Sequence, residues 1–177
     1  MVTRRVDQAA PGPLELVRAL LNSWQIPNDT RTPTELFDRF IRSTPVASSR
    51  ERATLQALRD DLRACLERPD ESTGRLNAWI RRLEVAPLVA EGTIRFAASG
   101  GVPGRMLAIV LSAVADGRWS RLKACPDCRW VFYDHTRNGG KRWCLMYAGG
   151  PQGRACGTIA KVRRFRERNR GRGRAAG

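Results

Sequence analysis

Apolar residues recur every three or four positions through most of the first 117 residues, which is the spacing of a helix with one buried face. The clearest stretch follows Ser48 and carries leucines at positions 55, 58, 62 and 66 before Pro69 ends it. Helix starts are indicated at Thr32 and Ser48, because each is followed three residues later by a Glu that can complete a capping box. Further stripes lie at 14–21, 36–41, 76–83 and 106–114. The pattern predicts a mainly helical N-terminal domain.

The periodicity changes after Glu84. Two short runs, 85–90 and 93–98, are rich in β-branched and apolar residues and flank Glu91-Gly92. This is typical of a β-hairpin with a two-residue turn. A Gly-rich linker at 99–101 and Pro103 then lead into the last apolar stripe.

The formal net charge of +15 is concentrated in the last third of the chain. Residues 118–177 hold 16 Lys and Arg against 3 Asp and Glu, whereas residues 1–117 hold 16 against 14. Such asymmetry favours a polyanionic partner, nucleic acid before an anionic membrane, and the alternative is a solvated tail. No apolar run reaches the roughly 18 residues of a membrane span, and the first residues do not resemble a signal peptide. We therefore expect a cytoplasmic protein with no membrane partner.

Four of the five cysteines lie in this basic third, at Cys125, Cys128, Cys144 and Cys156. The Cys-x-x-Cys spacing of the first pair lets two thiolates face one point, as tetrahedral zinc requires. Four thiolates close the coordination sphere, which predicts one structural Zn²⁺ rather than a catalytic one. The sole histidine, His135, is an alternative ligand. The remaining cysteine, Cys65, lies beside a leucine stripe and is expected to be a buried apolar residue.

The residues between the cysteines predict a second hairpin. Residues 130–133 are strand-like, 137–140 contain the turn sequence Asn138-Gly139, and 141–144 are expected to form the return strand. Trp130, Phe132 and Trp143 are expected to pack around the metal, and stacking of one of them on a base is the alternative.

A basic helix is predicted after the last cysteine. Ile159, Val162 and Phe165 recur every three residues, so this edge is expected to pack on the zinc knuckle. The arginines around it suit a DNA groove, and a solvated basic helix is the alternative. The predicted nucleic-acid contacts are Arg137, Lys141, Arg142, Lys161, Arg163, Arg164, Arg166, Arg168 and Arg170.

These features divide the chain into four parts. We predict a disordered arm at 1–10, a mainly helical domain at 11–117, a zinc finger with a basic helix at 118–170, and a disordered basic tail at 171–177. The expected fold class is mainly α with a small β-hairpin, in which the helical domain precedes a zinc-stabilised hairpin-plus-helix finger.

Four short motifs follow one another in the finger: Cys-x-x-Cys at 125–128, Trp-x-Phe-x-Asp at 130–134, Arg-Trp-Cys-x-Met at 142–146 and Cys-Gly-x-x-x-Lys-x-Arg at 156–163. This order resembles the bacterial CGNR zinc finger. The layout of the whole chain is similar to stress-induced transcription regulators that carry a helical ABATE domain before that finger. The chain departs from the signature at Thr158 and Ile159, where the family has Asn and Arg. It also has a longer Gly/Pro segment at 149–153.

The resemblance implies a transcription regulator that binds double-stranded DNA through the finger. Residues 11–117 are then expected to sense a signal, through a small effector, or to form a homodimer. The alternatives are a zinc module that binds RNA or the ribosome, and an adaptor that docks on the transcription machinery. We do not expect an enzyme, because residues 11–117 show neither a Gly-rich phosphate loop nor a histidine.

Overall fold

The computed structural model describes residues 8–27, 30–145 and 155–174, with side chains as far as Arg166. Its helices are α1 (Leu14–Leu21), α2 (Phe37–Ser43), α3 (Ser49–Glu67), α4 (Ser72–Arg82), α5 (Gly101–Ala115) and α6 (Cys156–Arg174). Its strands are β1 (Trp24–Gln25), β2 (Thr34–Glu35), β3 (Ala86–Ala90), β4 (Thr93–Ala97), β5 (Leu122–Ala124) and β6 (Val131–Tyr133). They form three antiparallel pairs, β1 with β2, β3 with β4 and β5 with β6. The fold is thus mainly α with small hairpins, as predicted.

The core lies between α1, α3 and α5, and the stripes identified in the sequence supply it. Val17, Leu58 and Leu107 are completely buried, one from each helix. Full burial of such a side chain contributes about 1.5–3 kcal/mol, so this layer dominates the stability of the helical part. None of the helices described is long and apolar enough to cross a bilayer.

Glu51 connects the beginnings of α3 and α5. The hydroxyl of Ser48 accepts a hydrogen bond from the N–H of Glu51 at 3.1 Å, so the predicted N-cap of α3 is confirmed. The Glu51 side chain does not complete the predicted capping box, because it binds other N–H groups. The carboxylate of Glu51 accepts from the N–H of Ala47 at 2.5 Å and from that of Val102 at 2.6 Å. Gly101 lies directly against this carboxylate with φ +61°, and a side chain there would collide with it. One carboxylate therefore fixes two helix starts relative to each other.

The second capping box, at Thr32, was a wrong prediction. Glu35 lies in β2, and its carboxylate binds the buried guanidinium of Arg59 at 2.6 and 2.9 Å. The N–H of Leu36 donates to the carbonyl of Ser23 at 2.6 Å, beside the short β1–β2 pair. This ion pair with α3 holds Glu35 in an extended segment, and α2 begins only at Phe37.

The β3–β4 hairpin is confirmed. Glu91 and Gly92 both have positive φ, at 51° and 72°, which is the geometry of a type I′ turn. Strand β4 contacts α5. Leu88, Val89 and Ile94 of the hairpin are exposed.

The two ends of the described chain differ from the prediction. Gln8 is buried and Ala10 is 6% exposed, so the end of the arm predicted at 1–10 is packed, and residues 1–7 lie outside the described part. Helix α6 runs on to Arg174, so residues 171–174 of the predicted disordered tail are helical, and 175–177 lie outside the description. Each residue added to a formed helix gains one backbone hydrogen bond, which opposes the helix penalty of Gly171 and Gly173.

The main core does not stop at residue 117. Leu122, Val131 and Tyr133, from β5 and β6, belong to the same cluster of buried residues as the leucines of α1 and α3. Asn22, at the end of α1, donates to the carbonyl of Val131 at 2.8 Å and accepts from its N–H at 2.8 Å. The β5–β6 hairpin is therefore packed directly on the helical part.

Candidate metal centre

The first two cysteines lie in the tight turn between β5 and β6. The N–H of Cys125 donates to the carbonyl of Trp130 at 2.9 Å, and that of Arg129 donates to the carbonyl of Cys125 at 2.9 Å. Arg129 has φ +59°, which completes the reversal of the chain. The knuckle is thus the turn of the β5–β6 hairpin, with both thiols inside.

This arrangement corrects the predicted finger hairpin. The partner of β6 is Leu122–Ala124, and no strand forms at 141–144, where a return strand was expected. The turn at 137–140 exists, with φ +58° at Gly139. The chain after it forms a hydrogen bond with the carboxylate of Asp134 instead of pairing with β6. The N–H of Lys141 donates to Asp134 Oδ2 at 2.8 Å. The cysteine ligands of the knuckle therefore decide which segment pairs with β6, although Asn138-Gly139 is a strong local turn sequence.

The four predicted ligands come together. The Sγ atoms of Cys125, Cys128, Cys144 and Cys156 all lie within 4.8 Å of one another, and all four residues are buried. The Cys128–Cys144 sulfurs are 3.4 Å apart and the Cys144–Cys156 sulfurs 3.7 Å apart. A tetrahedron with Zn–S bonds of about 2.3 Å has edges of about 3.8 Å. The donor set fits one Zn²⁺ and leaves no position for substrate, so the site is structural.

The electrostatics of the cluster also favour a cation. Hydrogen bonds from the thiols of Cys128, Cys144 and Cys156 lower the pKa of Cys125. The pKa values of Cys144 and Cys156 are raised, because their thiols donate to neighbours that ionise first. Four thiolates this close repel one another strongly, and a divalent cation is what allows all of them to be deprotonated.

The two other candidate ligands do not join the cluster. His135 is exposed, and its Nε2 lies 2.8 Å from the carbonyl oxygen of Ala9. Cys65 is buried in the main core, where desolvation raises the pKa of its thiol, as expected for a structural cysteine. Phe132 is completely buried against the four cysteines, and Trp130 and Trp143 pack around them half-buried, as predicted.

The helical part holds the site through side chains that sequence reasoning missed. Gln8 donates to the carbonyl of Cys144 at 2.8 Å and accepts from Trp130 Nε1 at 3.0 Å. Arg63, buried in α3, donates to the carbonyl of Arg129 at 2.9 Å. Arg31 donates to the carbonyl of Asp127 at 2.8 Å. No local motif marks these residues, because their partners are 66 to 136 positions away.

Asp134 organises the loop that follows β6. It is completely buried and accepts from Lys123 Nζ at 2.8 Å and from the N–H and hydroxyl of Thr136 at 2.9 and 2.6 Å. Burial opposes its ionisation, but these hydrogen bonds outweigh it and hold the pKa of Asp134 well below its usual range. The side chain of Arg121 donates to the carbonyls of Thr136 and Arg137. The loop is thereby fixed in one shape.

The predicted nucleic-acid residues of this loop have different surroundings. Arg137 and Arg142 are exposed. Lys141 is half-buried, and its Nζ lies 5.4 Å from the centroid of the Phe132 ring, a cation–π contact inside the finger. Residues 146–154, which include the predicted Gly/Pro segment at 149–153, lie outside the described part.

Helix α6 begins at a metal ligand. Cys156 is its first residue, and the N–H of Gly157 donates to the carbonyl of Leu145 at 2.9 Å. Ala160 is also buried, so the first turn is packed against the site. Beyond it four predicted contacts are exposed: Lys161, Arg163, Arg164 and Arg166. The side chains of Arg168 and Arg170 lie outside the description.

The apolar edge of α6 does not pack on the knuckle, contrary to the prediction. Ile159, Val162 and Phe165 are 36%, 42% and 57% exposed. At 3.6 residues per turn they lie on the side of the helix opposite Cys156, Gly157 and Ala160. The coordinating cysteine at the start of α6 decides which side faces the metal, and the apolar edge points away.

Comparison with known proteins gives a family for the finger. Residues 121–169 match the family model described as CGNR zinc finger. The match spans β5, the four cysteines and the first turns of α6, which confirms the resemblance for this segment. No curated protein matches the chain. The ABATE-type resemblance of residues 11–117 stays a prediction.

Proposed function

Given a CGNR zinc finger at residues 121–169, we propose that the protein is a DNA-binding transcription regulator of the cytoplasm that presents α6 to duplex DNA. One observation carries the proposal: Cys156 is both a zinc ligand and the first residue of α6. Zinc binding therefore fixes the position of a helix whose next turns expose Lys161, Arg163, Arg164 and Arg166.

The dimensions and chemistry of α6 support duplex DNA as its partner. A helix of 19 residues is about 28 Å long and 10–12 Å wide with its side chains, which fits a major groove about 12 Å wide. Arginine can bind phosphates or pair with both acceptors of a guanine edge. Arg137 and Arg142, on the loop fixed by Asp134, add exposed charge on the finger itself.

The packing of the finger on the helical part supports a regulatory role for residues 11–117. Arg63 and Asn22 join α3 and α1 to the knuckle and to β6. A change in these helices, caused by an effector or by dimerisation, then alters the position of α6. Dimerisation also suits a single finger, which alone buries little surface on DNA.

DNA affinity measured against salt tests the proposal. With about five phosphates neutralised, log affinity should fall against log salt with a slope of about −4 to −5. Replacing Arg163, Arg164 and Arg166 by Ala should weaken binding and make the slope shallower by about 3 units. The matched control replaces Arg39, Arg42 and Arg81, three exposed arginines of the helical part, by Ala. Equal slopes for both triple variants would refute the role of α6.

The same titration separates DNA from RNA. Structured RNA that competes better than duplex DNA of equal length would favour the RNA-binding alternative. Zinc content and circular dichroism of each variant show whether an effect comes from lost contacts or from a lost fold.

The exposed apolar edge of α6 favours a second candidate, an adaptor for an acidic protein partner. Ile159, Val162 and Phe165 present an apolar stripe beside the basic residues, which is how amphipathic helices dock into grooves. Replacing the three by Ser should abolish capture of such a partner, with nuclease present, and leave DNA affinity within about twofold. Loss of DNA affinity in this variant would instead assign the stripe to the DNA interface.

A further inference from the structure

A cleft of about 530 Å³ lies where three helix ends meet. Its walls come from the beginning of α3, the end of α4 and the beginning of α5. Each of these helices contributes one arginine to the lining: Arg50 from α3, Arg82 from α4 and Arg105 from α5. The volume is within the range of about 300–1,000 Å³ that is common for small-molecule sites.

These arginines differ from most others in the helical part. Among the described residues from 8 to 117, eight arginines have a carboxylate oxygen within 4.0 Å: Arg18, Arg31, Arg52, Arg59, Arg63, Arg68, Arg75 and Arg95. Arg50, Arg82 and Arg105 form no such ion pair with any described residue. The guanidinium of Arg82 lies 4.7 Å from the ring centroid of Trp79, a cation–π contact that helps to fix its position. Three guanidinium groups thus share one concavity, and none of them lies within 4.0 Å of a described carboxylate oxygen.

The one carboxylate in the lining, that of Glu51, offsets only one of these three charges. Glu51 already accepts from the backbone N–H groups of Ala47 and Val102, at 2.5 and 2.6 Å. The charged side chains of the lining therefore sum to +2. The first turns of α3 and α5 both border the cleft, and the partial positive charge of each adds to the same sign.

The wall of the cleft also has an apolar part. Leu83, Val102 and Pro103 are buried residues that line it. A bare inorganic ion leaves this surface without a partner, whereas an organic anion covers it and gains free energy from the apolar area removed from water.

We propose that this cleft binds a small organic dianion, a phosphate monoester or a dicarboxylate, whose charged end lies among Arg50, Arg82 and Arg105 and whose apolar body packs on Leu83, Val102 and Pro103. The charge of such a ligand matches the +2 of the lining. Arg50 and Arg63 are 13 positions apart on α3, about 20 Å along the helix, so the helix that borders the cleft also holds the knuckle. The binding claim is independent of the proposed function, and only its regulatory meaning rests on that proposal.

Calorimetric titration of the full-length, zinc-loaded protein without DNA tests the site. The probes are phenyl phosphate, phthalate and inorganic phosphate, each at matched ionic strength. We expect saturable binding of phenyl phosphate or phthalate, and the tighter of the two assigns the charged group. Inorganic phosphate should bind at least fivefold more weakly, because it cannot cover the apolar wall. Equal affinity for inorganic phosphate would overturn the assignment to an organic ligand.

The triple variant Arg50→Gln, Arg82→Gln, Arg105→Gln should raise Kd at least tenfold. The control Arg39→Gln, Arg42→Gln, Arg81→Gln removes the same charge outside the cleft and should change Kd less than twofold. The single variant Arg82→Gln removes one exposed guanidinium from the cleft and should raise Kd at least threefold, so the site can be tested even if the triple variant does not fold. Non-saturable binding, or an equal rise of Kd in both triple variants, would show that the anions respond only to the net positive charge of the protein and would overturn the proposed site. Failure of DNA binding changes none of these outcomes.

Discussion

Arg63 gives the sharpest test of how the helical part supports the finger. Its guanidinium donates to the carbonyls of Leu21 at 2.6 Å, Trp24 at 3.2 Å and Arg129 at 2.9 Å, and it lies 4.5 Å from the ring centroid of Trp24. The side chain is 7% exposed, and burial lowers its pKa to about 10. Replacement by Met keeps the aliphatic volume and removes the donors.

The magnitude follows from these contacts. A buried carbonyl left without a donor costs about 2 kcal/mol, as for Leu21, and each half-buried one about 1 kcal/mol. The cation–π contact with Trp24 adds about 1–2 kcal/mol. The lost contacts together cost about 5–6 kcal/mol. The variant no longer buries a charged group, however, and the lowered pKa of Arg63 corresponds to about 3 kcal/mol of unfavourable free energy that is thereby removed. Arg63→Met should therefore lower the free energy of unfolding by about 2–3 kcal/mol.

Urea unfolding followed by tryptophan fluorescence measures this change, with zinc present throughout. The control is Arg68→Met, since the Arg68 side chain is 58% exposed and forms a surface ion pair with Glu71. It should cost no more than about 0.5 kcal/mol. Arg63→Met should also speed zinc transfer to a chromogenic chelator, because Arg129 is part of the knuckle. If both variants lose the same stability, below about 1 kcal/mol, Arg63 does not hold the finger.

Three further predictions concern the metal and the Glu51 bridge. Metal analysis of the reduced protein should find about one zinc per chain. Cys144→Ser or a chelator should release this zinc and shift the tryptophan emission to the red, because structural zinc supplies about 10–16 kcal/mol of folding free energy. Gly101→Ala should cost at least about 2 kcal/mol in urea unfolding, because φ is +61° and the new methyl meets the Glu51 carboxylate. Gly74→Ala, in α4, should instead stabilise by about 0.5–1 kcal/mol, because its methyl group would meet no side chain and no other segment of the described chain within 4 Å. Backbone N–H donors of Ala47 and Val102 lower the pKa of Glu51 from 4.5, so the melting temperature of the wild type should exceed that of Glu51→Gln above pH 4.5, and the difference should shrink as the pH falls below that value. A difference that stays constant from pH 7 to pH 3 would contradict this last prediction.

Local signals in the sequence were sufficient for the helices, except for the start of α2, and for one hairpin. Leucine spacing located α3, and Glu91-Gly92 located the β3–β4 turn, because helix period and positive φ are properties of neighbouring residues. Glu35 was misassigned, since its ion pair with Arg59 joins segments 24 residues apart. The finger hairpin was misassigned because Asn138-Gly139 is the stronger local turn signal, whereas the metal ligands place the turn at the knuckle.

The same distinction between local signals and contacts of distant segments applies to the candidate site. The cysteine spacing identified all four ligands, since tetrahedral coordination constrains residue type and count. Gln8 and Arg63 could not be identified, because their partners are distant carbonyls that any residue provides. Periodicity found the stripe at Ile159, Val162 and Phe165 but not its direction, which depends on the bond between Cys156 and the metal.

The continuous core has a consequence for protein engineering. Because Leu122, Val131 and Tyr133 pack among the leucines of α1 and α3, removing the finger at residue 118 would expose the apolar surface of these helices to solvent. Transplanting it onto another regulator therefore calls for the matching surface of α1 and α3 in the recipient. Chimeras that join a foreign finger at this junction should aggregate unless those contacts are redesigned together.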